Sequence, residues 1–145
     1  MAMNEQQTIR AIFAGGHTVA VVGLSPKAWR ESFGVSRAMQ AAGWRIIPVN
    51  PVVAERGETI LGEKAYATLA DAALHESIDL VNVFRNSEDV PPVMEEAIAT
   101  GAPAVWLQMG IRHDVAAARA RAAGLNVVQD RCLKVEWMMR DRSST

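Results

Sequence analysis

The sequence carries a single cysteine, Cys132, so no internal disulfide can staple the fold, and the count suits a reducing compartment. Its three histidines, sixteen acidic residues and one cysteine show no metal-ligand spacing, which leaves no basis for expecting a metal centre. No run of about 18 apolar residues exists, so no membrane span is expected. The polar start, Met1 to Arg10, lacks the apolar core of a secretory signal, and a cytoplasmic location is the expectation. Excess charge is also missing: the formal net charge is −1, which excludes a global attraction to nucleic acid or anionic membrane. Any polyanionic ligand must be held by local cations. Low-complexity runs and long linkers are absent.

What remains is an ordinary globular composition, 50% hydrophobic and 21% charged, in a chain of 145 residues, enough for one domain with its own core. A local pattern recurs three times. Ala41-Ala42-Gly43, Ala99-Thr100-Gly101 and Ala122-Ala123-Gly124 each precede an apolar run, and each reads as a helix end, a glycine free to take positive φ, and a strand. With Thr18–Val22 and Asp79–Phe84 added to the runs at 44–49, 102–107 and 125–128, five short strands are expected. Helices are expected at Glu5–Ala14, Ser32–Ala42, Asp71–Glu76, Glu88–Thr100, Asp114–Ala123 and Val135–Arg140, the fourth tolerating Pro91 and Pro92 in its first turn. Alternation of strand and helix predicts a Rossmann-like three-layer sandwich on a mostly parallel five-stranded sheet, forming a single domain. Within it, the expected parts are an N-terminal helix near 5–14, a core over about 15–137 and a flexible tail from about 140 to 145.

Ligands of such sheets bind outside the carboxyl ends of the strands, near the topological switch point. That selects the loop after the first strand, where Gly23-x-Ser25-x-x-Ala28 is a degraded form of the dinucleotide fingerprint G-x-G-x-x-G/A. Gly23 permits a tight turn, and small Ser25 lets a phosphate approach backbone N–H groups and the following helix N-terminus. Lys27 and Arg30 add positive charge. A plain strand-to-helix turn with exposed cations fits this loop equally well. The second strand ends in Val49-Asn50-Pro51, without the acid that an NAD site uses for the ribose hydroxyls; Glu55 comes too late. That absence argues against NAD and suits a ligand with phosphate near its ribose. At the end of the third strand, Arg85 can pair with phosphate through its planar fork, Phe84 either packs in the core or meets the ligand, and Ser87 is expected to cap the next helix. Gln108 and Gly110 at the end of the fourth strand either line the same cleft or, for Gln108, bridge neighbouring loops.

Candidates for chemistry are few. His17 precedes the first strand at the wrong edge, His75 lies near a helix end, and His113 is expected to open a helix. Cys132 stands on the ligand edge, either as a small packing residue or as a thiol able to form a mixed disulfide or accept an acyl group, with Arg131 and Lys134 placed to lower its pKa if they face it. Met94, Met109, Met138, Met139 and the four tryptophans read as core or oligomer surface, with Trp137 the best interface candidate.

Taken together, Val21-Val22-Gly23-Leu24-Ser25, Ile47-Pro48-Val49-Asn50-Pro51, Ile60-Leu61-Gly62, Asp79–Arg85, Val105–Ile111 and Asp130-Arg131-Cys132 resemble the small stand-alone CoA-binding domain proteins, related to the N-terminal domain of the succinyl-CoA synthetase alpha subunit. The resemblance runs from about Ala14 to Trp137. It implies coenzyme A (CoA) lying across the carboxyl edge of the sheet. Gly23, Leu24, Ser25, Pro26 and Lys27 would hold the pyrophosphate, Asn50 and Pro51 flank the adenosine, and Val83, Phe84 and Arg85 meet the nucleotide or upper pantetheine. Arg30 as partner of the 3′-phosphate is inferred from charge and placement alone. The ligase domains of the larger synthetases, with their phosphorylated histidine, have no counterpart in these residues. The leading expectation is therefore a module that binds CoA or acyl-CoA without ligase chemistry of its own, with a homo-oligomer or an acyl-CoA-using protein as possible partner. An NAD(P)-dependent or acyl-transfer enzyme, or an interaction module with a vestigial cleft, are the alternatives.

Overall fold

The computed structural model describes residues 3–140. In chain order, α1 (Glu5–Ala14) leads to β1 (Thr18–Val22), α2 (Glu31–Ala41), β2 (Arg45–Val49) and α3 (Pro51–Glu55). The two-residue strands β3 (Thr59–Ile60) and β4 (Glu63–Lys64) precede α4 (Leu69–His75), β5 (Leu80–Val83) and α5 (Val90–Thr100). Then come β6 (Ala104–Leu107), α6 (Asp114–Ala122), β7 (Asn126–Val128) and α7 (Leu133–Met138).

Five strands form one sheet in the order β2-β1-β5-β6-β7, and every pairing in it is parallel. Alternate strand residues face opposite layers. Val19, Val21, Leu80 and Trp106 join Ile9, Val35, Met39 and Leu133 in one core, whereas Ala20, Val81, Val83 and Val105 join Leu69, Met94 and Ala117 in the other. Helices α1, α2 and α7 thus cover one face and α4, α5 and α6 the other, giving the expected three layers. Beyond β2, Tyr66 makes an isolated parallel bridge to Val49. Counting that bridge as a residual strand, the order becomes that of the six-stranded dinucleotide-binding fold, 3-2-1-4-5-6.

The local causes are visible at the helix ends. Asn4 accepts the Gln7 N–H at 2.8 Å and Gln7 Oε1 accepts the Asn4 N–H at 2.9 Å, a reciprocal cap on α1. Gly101 ends α5 at φ +78°, where any other residue would be strained. His113 opens α6 as expected, its Nδ1 accepting the Ala116 N–H at 3.1 Å.

The expected parallel five-stranded sheet is present, and the antiparallel pairing seen among the described residues belongs to β3–β4, a separate hairpin turned by Leu61 and Gly62, both at positive φ. Several local expectations are corrected. Ser87 does not cap a helix through its side chain: it opens a 3₁₀ turn (Ser87–Asp89), and its hydroxyl accepts the Arg112 N–H at 3.0 Å. Helix α7 begins at Leu133, two residues before the expected start. Trp137 is buried rather than offered to a partner; it packs edge-on against Phe13, His17 and Trp44, with the Arg140 guanidinium 3.6 Å from its ring centroid. Met94 is buried, whereas Met109, Met138 and Met139 are exposed. Of the expected flexible tail, residues 141–145 lie outside the described residues.

Candidate functional site

The chain leaves β1 toward β2 and later returns on the other side of β1 as β5, so the switch point lies between the carboxyl ends of β1 and β5. Gly23 sits there. Its N–H donates to the Val49 carbonyl at 3.1 Å, its φ is +86°, and a Cβ built on it would stand 2.3 Å from the Phe84 carbonyl oxygen. Two separate constraints, conformation and space, thus require glycine at this position. The turn opens a cleft of about 720 Å³ between the loop after β1, the start of α2, and the loops after β5 and β6.

Of the thirteen expected site residues, Gly23, Ser25, Lys27, Arg30, Phe84, Arg85, Gln108 and Gly110 line this cleft. The other five do not. Leu24 is buried in the core, and its carbonyl accepts from Asn50 Nδ2 at 2.9 Å. Pro26 is exposed beside the cleft. Asn50 is spent locally: Oδ1 accepts the N–H groups of Val52 and Val53 at 3.0 and 3.1 Å, capping α3. Pro51 opens that helix and lines a separate cavity of about 350 Å³ with Tyr66 and His75. Val83 is buried within β5.

The Gly23 loop differs from an open nest of amides. The Ser25 N–H donates to Ser32 Oγ in the first turn of α2 at 3.0 Å and the Lys27 N–H to Ser25 Oγ at 3.1 Å, so two of the amides expected to solvate phosphate already have side-chain partners. Positive charge around the loop comes from side chains and from the start of α2, whose first turn receives no side-chain cap from Arg30. Lys27, Arg30 and Arg85 line the cleft and enter no ion pair among the described residues, while Arg45, Arg112, Arg119 and Arg131 each pair with a carboxylate. Glu31 and Asp89 also line it, leaving cations in the majority.

Phe84 lines the cleft while packing against the core. Gln108 also lines the cleft and is 1% exposed: Oε1 accepts the Leu133 N–H at 2.9 Å, bridging to α7, and Nε2 has no partner among the described residues. Gly110, at φ +84°, donates its N–H to Asp130 at 2.6 Å.

Ser32 was not foreseen in this site; a serine in the first turn of the helix after a Gly-loop was the available signal. Asn86, Met109 and Ile111 also line the cleft.

Neither histidine nor cysteine is among the residues lining the cleft. Cys132 is buried at the N-terminus of α7. Its neighbour Arg131 turns to Glu5 (2.6 Å) and Glu136 (3.4 Å), and the hydrogen bond to Glu5 is the main cause that raises the guanidinium pKa above its ordinary value. His17 stacks on Trp44 with centroids 4.6 Å apart, away from the cleft. Among the described residues no group of three or more His, Cys, Asp or Glu is disposed to hold a metal ion, and no helix is long and apolar enough to cross a membrane.

Residues 17–138 match the family described as "CoA binding domain". The chain is 43% identical over 127 residues to the uncharacterized protein YneT of Bacillus subtilis (strain 168), covering 88% of this chain and 90% of that one. Among solved structures, cell-free ID.343 from Thermus thermophilus superposes with a TM-score of 0.84 at 38% identity, covering 94% of this chain and 98% of that one. A hypothetical protein from Pyrococcus horikoshii OT3 gives 0.82 at 30% identity, covering 95% and 97%. A Rossmann-like chain with its cleft at the β1–β5 switch point, matched over most of its length, belongs to the CoA-binding domain family.

Proposed function

We propose that this protein is a single-domain cytoplasmic binder of CoA or acyl-CoA, with the ligand's phosphates in the cleft above β1 and β5 and without ligase chemistry of its own. The observation that carries the reading is the set of three cations, Lys27, Arg30 and Arg85, which line the cleft at the switch point of the sheet and enter no ion pair among the described residues. A diphosphate presents oxygens at that point, and Arg85 supplies a planar two-donor fork for them. Lys27 acts as a mobile point charge on the same group, and Arg30 meets the 3′-phosphate. Leu24, Pro26, Asn50, Pro51 and Val83 contribute by shaping the turn and the adenosine end rather than by lining the cleft. The absence of histidine and cysteine from the lining favours holding over chemistry. Asn50, engaged as a helix cap where an NAD site needs a carboxylate, favours CoA over NAD.

The test is calorimetric titration with CoA, acetyl-CoA, dephospho-CoA and NAD. CoA and acetyl-CoA are expected to bind, dephospho-CoA more weakly, and NAD weakest. Preference for NAD overturns the reading. Equal affinity for CoA and dephospho-CoA removes the 3′-phosphate role of Arg30.

A further inference from the structure

Gln108 presents a buried donor without an acceptor. It continues β6 toward the carboxyl edge, where its N–H reaches the Val83 carbonyl at 3.3 Å and its own carbonyl takes the Ile111 N–H at 2.9 Å. The side chain is 1% exposed. Its two amide ends have opposite fates: Oε1 accepts the Leu133 N–H at 2.9 Å, and Nε2 has no partner among the described residues although the residue lines the cleft. Flipping the amide would set Nε2 against the Leu133 N–H, two donors facing each other, so the backbone of α7 fixes which end is free. A buried N–H without an acceptor is a standing cost, which an acceptor on the ligand would remove.

Position in the sheet narrows what that acceptor is. Lys27 and Arg30 follow β1, and Arg85 follows β5. Gln108 follows β6, two strands from β1 and so about 10 Å from the Gly23 turn. Its neighbours Met109 and Ile111 also line the cleft, and both are uncharged and apolar. A ligand whose phosphates lie on the cations must cross to β6 with an uncharged arm that carries a hydrogen-bond acceptor. The pantetheine arm of CoA, flexible and carrying amide carbonyls, has that chemistry.

We propose that Gln108 Nε2 donates to an amide carbonyl of the pantetheine arm, which makes Gln108 the residue that selects pantetheine-bearing ligands over nucleotides alone. The inference rests on the CoA reading above, and its test separates the two. The variant is Gln108→Glu, which keeps an oxygen for the Leu133 N–H and replaces the free donor by a second acceptor. Parent and variant are titrated at pH 8 with 4′-phosphopantetheine, which lacks the nucleotide, and with 3′,5′-ADP, which lacks the arm. The variant is expected to bind 4′-phosphopantetheine at least about tenfold more weakly and 3′,5′-ADP within about twofold of the parent, the latter also showing that the cleft is intact.

Unchanged 4′-phosphopantetheine affinity overturns the proposal, as does an equal loss for both ligands, which would put Gln108 on the nucleotide half. If the parent binds neither ligand, the CoA reading itself fails. Should the variant not fold, the parent carries the test alone: in ¹⁵N-labelled protein the Gln108 side-chain NH₂ resonances should shift with 4′-phosphopantetheine and stay in place with 3′,5′-ADP. Shifts of equal size with both ligands, or with neither, contradict the proposal.

Discussion

Replacing Gly23 by alanine places a methyl group 2.3 Å from the Phe84 carbonyl oxygen, about 1 Å inside ordinary contact. The obstacle is backbone, and that backbone is pinned: the Phe84 N–H donates to the Val22 carbonyl at 2.9 Å, beside the β1–β5 ladder. Relief therefore requires the carboxyl ends of two central strands to separate. Holding an L-residue at φ +86° adds about 1–2 kcal/mol of strain, and the overpacking about 1–3 kcal/mol. The sum, about 2–5 kcal/mol, corresponds to a fall in Tm of about 5–15 °C for a domain of this size. Gly16→Ala is the matched control. Its Cβ would meet the Asp79 carboxylate at 2.2 Å, but that side chain can swing away, losing its 3.0 Å bond from the Thr18 N–H. This costs about 1 kcal/mol. Thermal unfolding followed by circular dichroism should show Gly23→Ala falling at least twice as far as Gly16→Ala, with CoA binding lost alongside. A Gly23→Ala protein that melts within about 2 °C of the parent, or above the control, refutes the close-approach argument.

Other outcomes follow from the same geometry. Arg85→Glu should weaken CoA by more than about fivefold, because it replaces a phosphate fork with a like charge; titration reads this directly. Ser32→Ala removes the acceptor of the Ser25 N–H and should cost about 1 kcal/mol of stability, with weaker CoA binding as the loop loses its shape; thermal melts and titration check both. CoA affinity should fall steadily as NaCl rises from about 0.1 to 1 M, where the Debye length shrinks from about 10 to 3 Å. Affinity independent of salt would move the phosphates off Lys27, Arg30 and Arg85.

The parts legible in the sequence are those whose causes are local. The glycines at 43, 101 and 124 mark helix ends because only a neighbouring turn has to be satisfied, and all three take positive φ. Gly23 was legible for the same reason, though not the nearness of Phe84, which lies 61 positions away. The β3–β4 hairpin escaped because its strands are two residues long, too short to show any period. Asn50-Pro51 invited a ligand role, yet an asparagine before a proline is also a helix opening, and α3 uses it as one. Trp137 looked like an interface residue because Phe13, His17 and Trp44, which enclose it, come from three other segments. The double use of Gln108 was invisible for a similar reason: Leu133, which fixes one end of its amide, is 25 residues away and meets it only across the folded sheet.

The central claim is that the cleft between β1 and β5 holds CoA. Native mass spectrometry of the protein mixed with equimolar CoA and NAD at low salt tests it most directly. The account predicts one CoA per chain and little NAD, with the CoA adduct lost in Arg85→Glu. An NAD adduct, or a CoA adduct that survives Arg85→Glu unchanged, would contradict it.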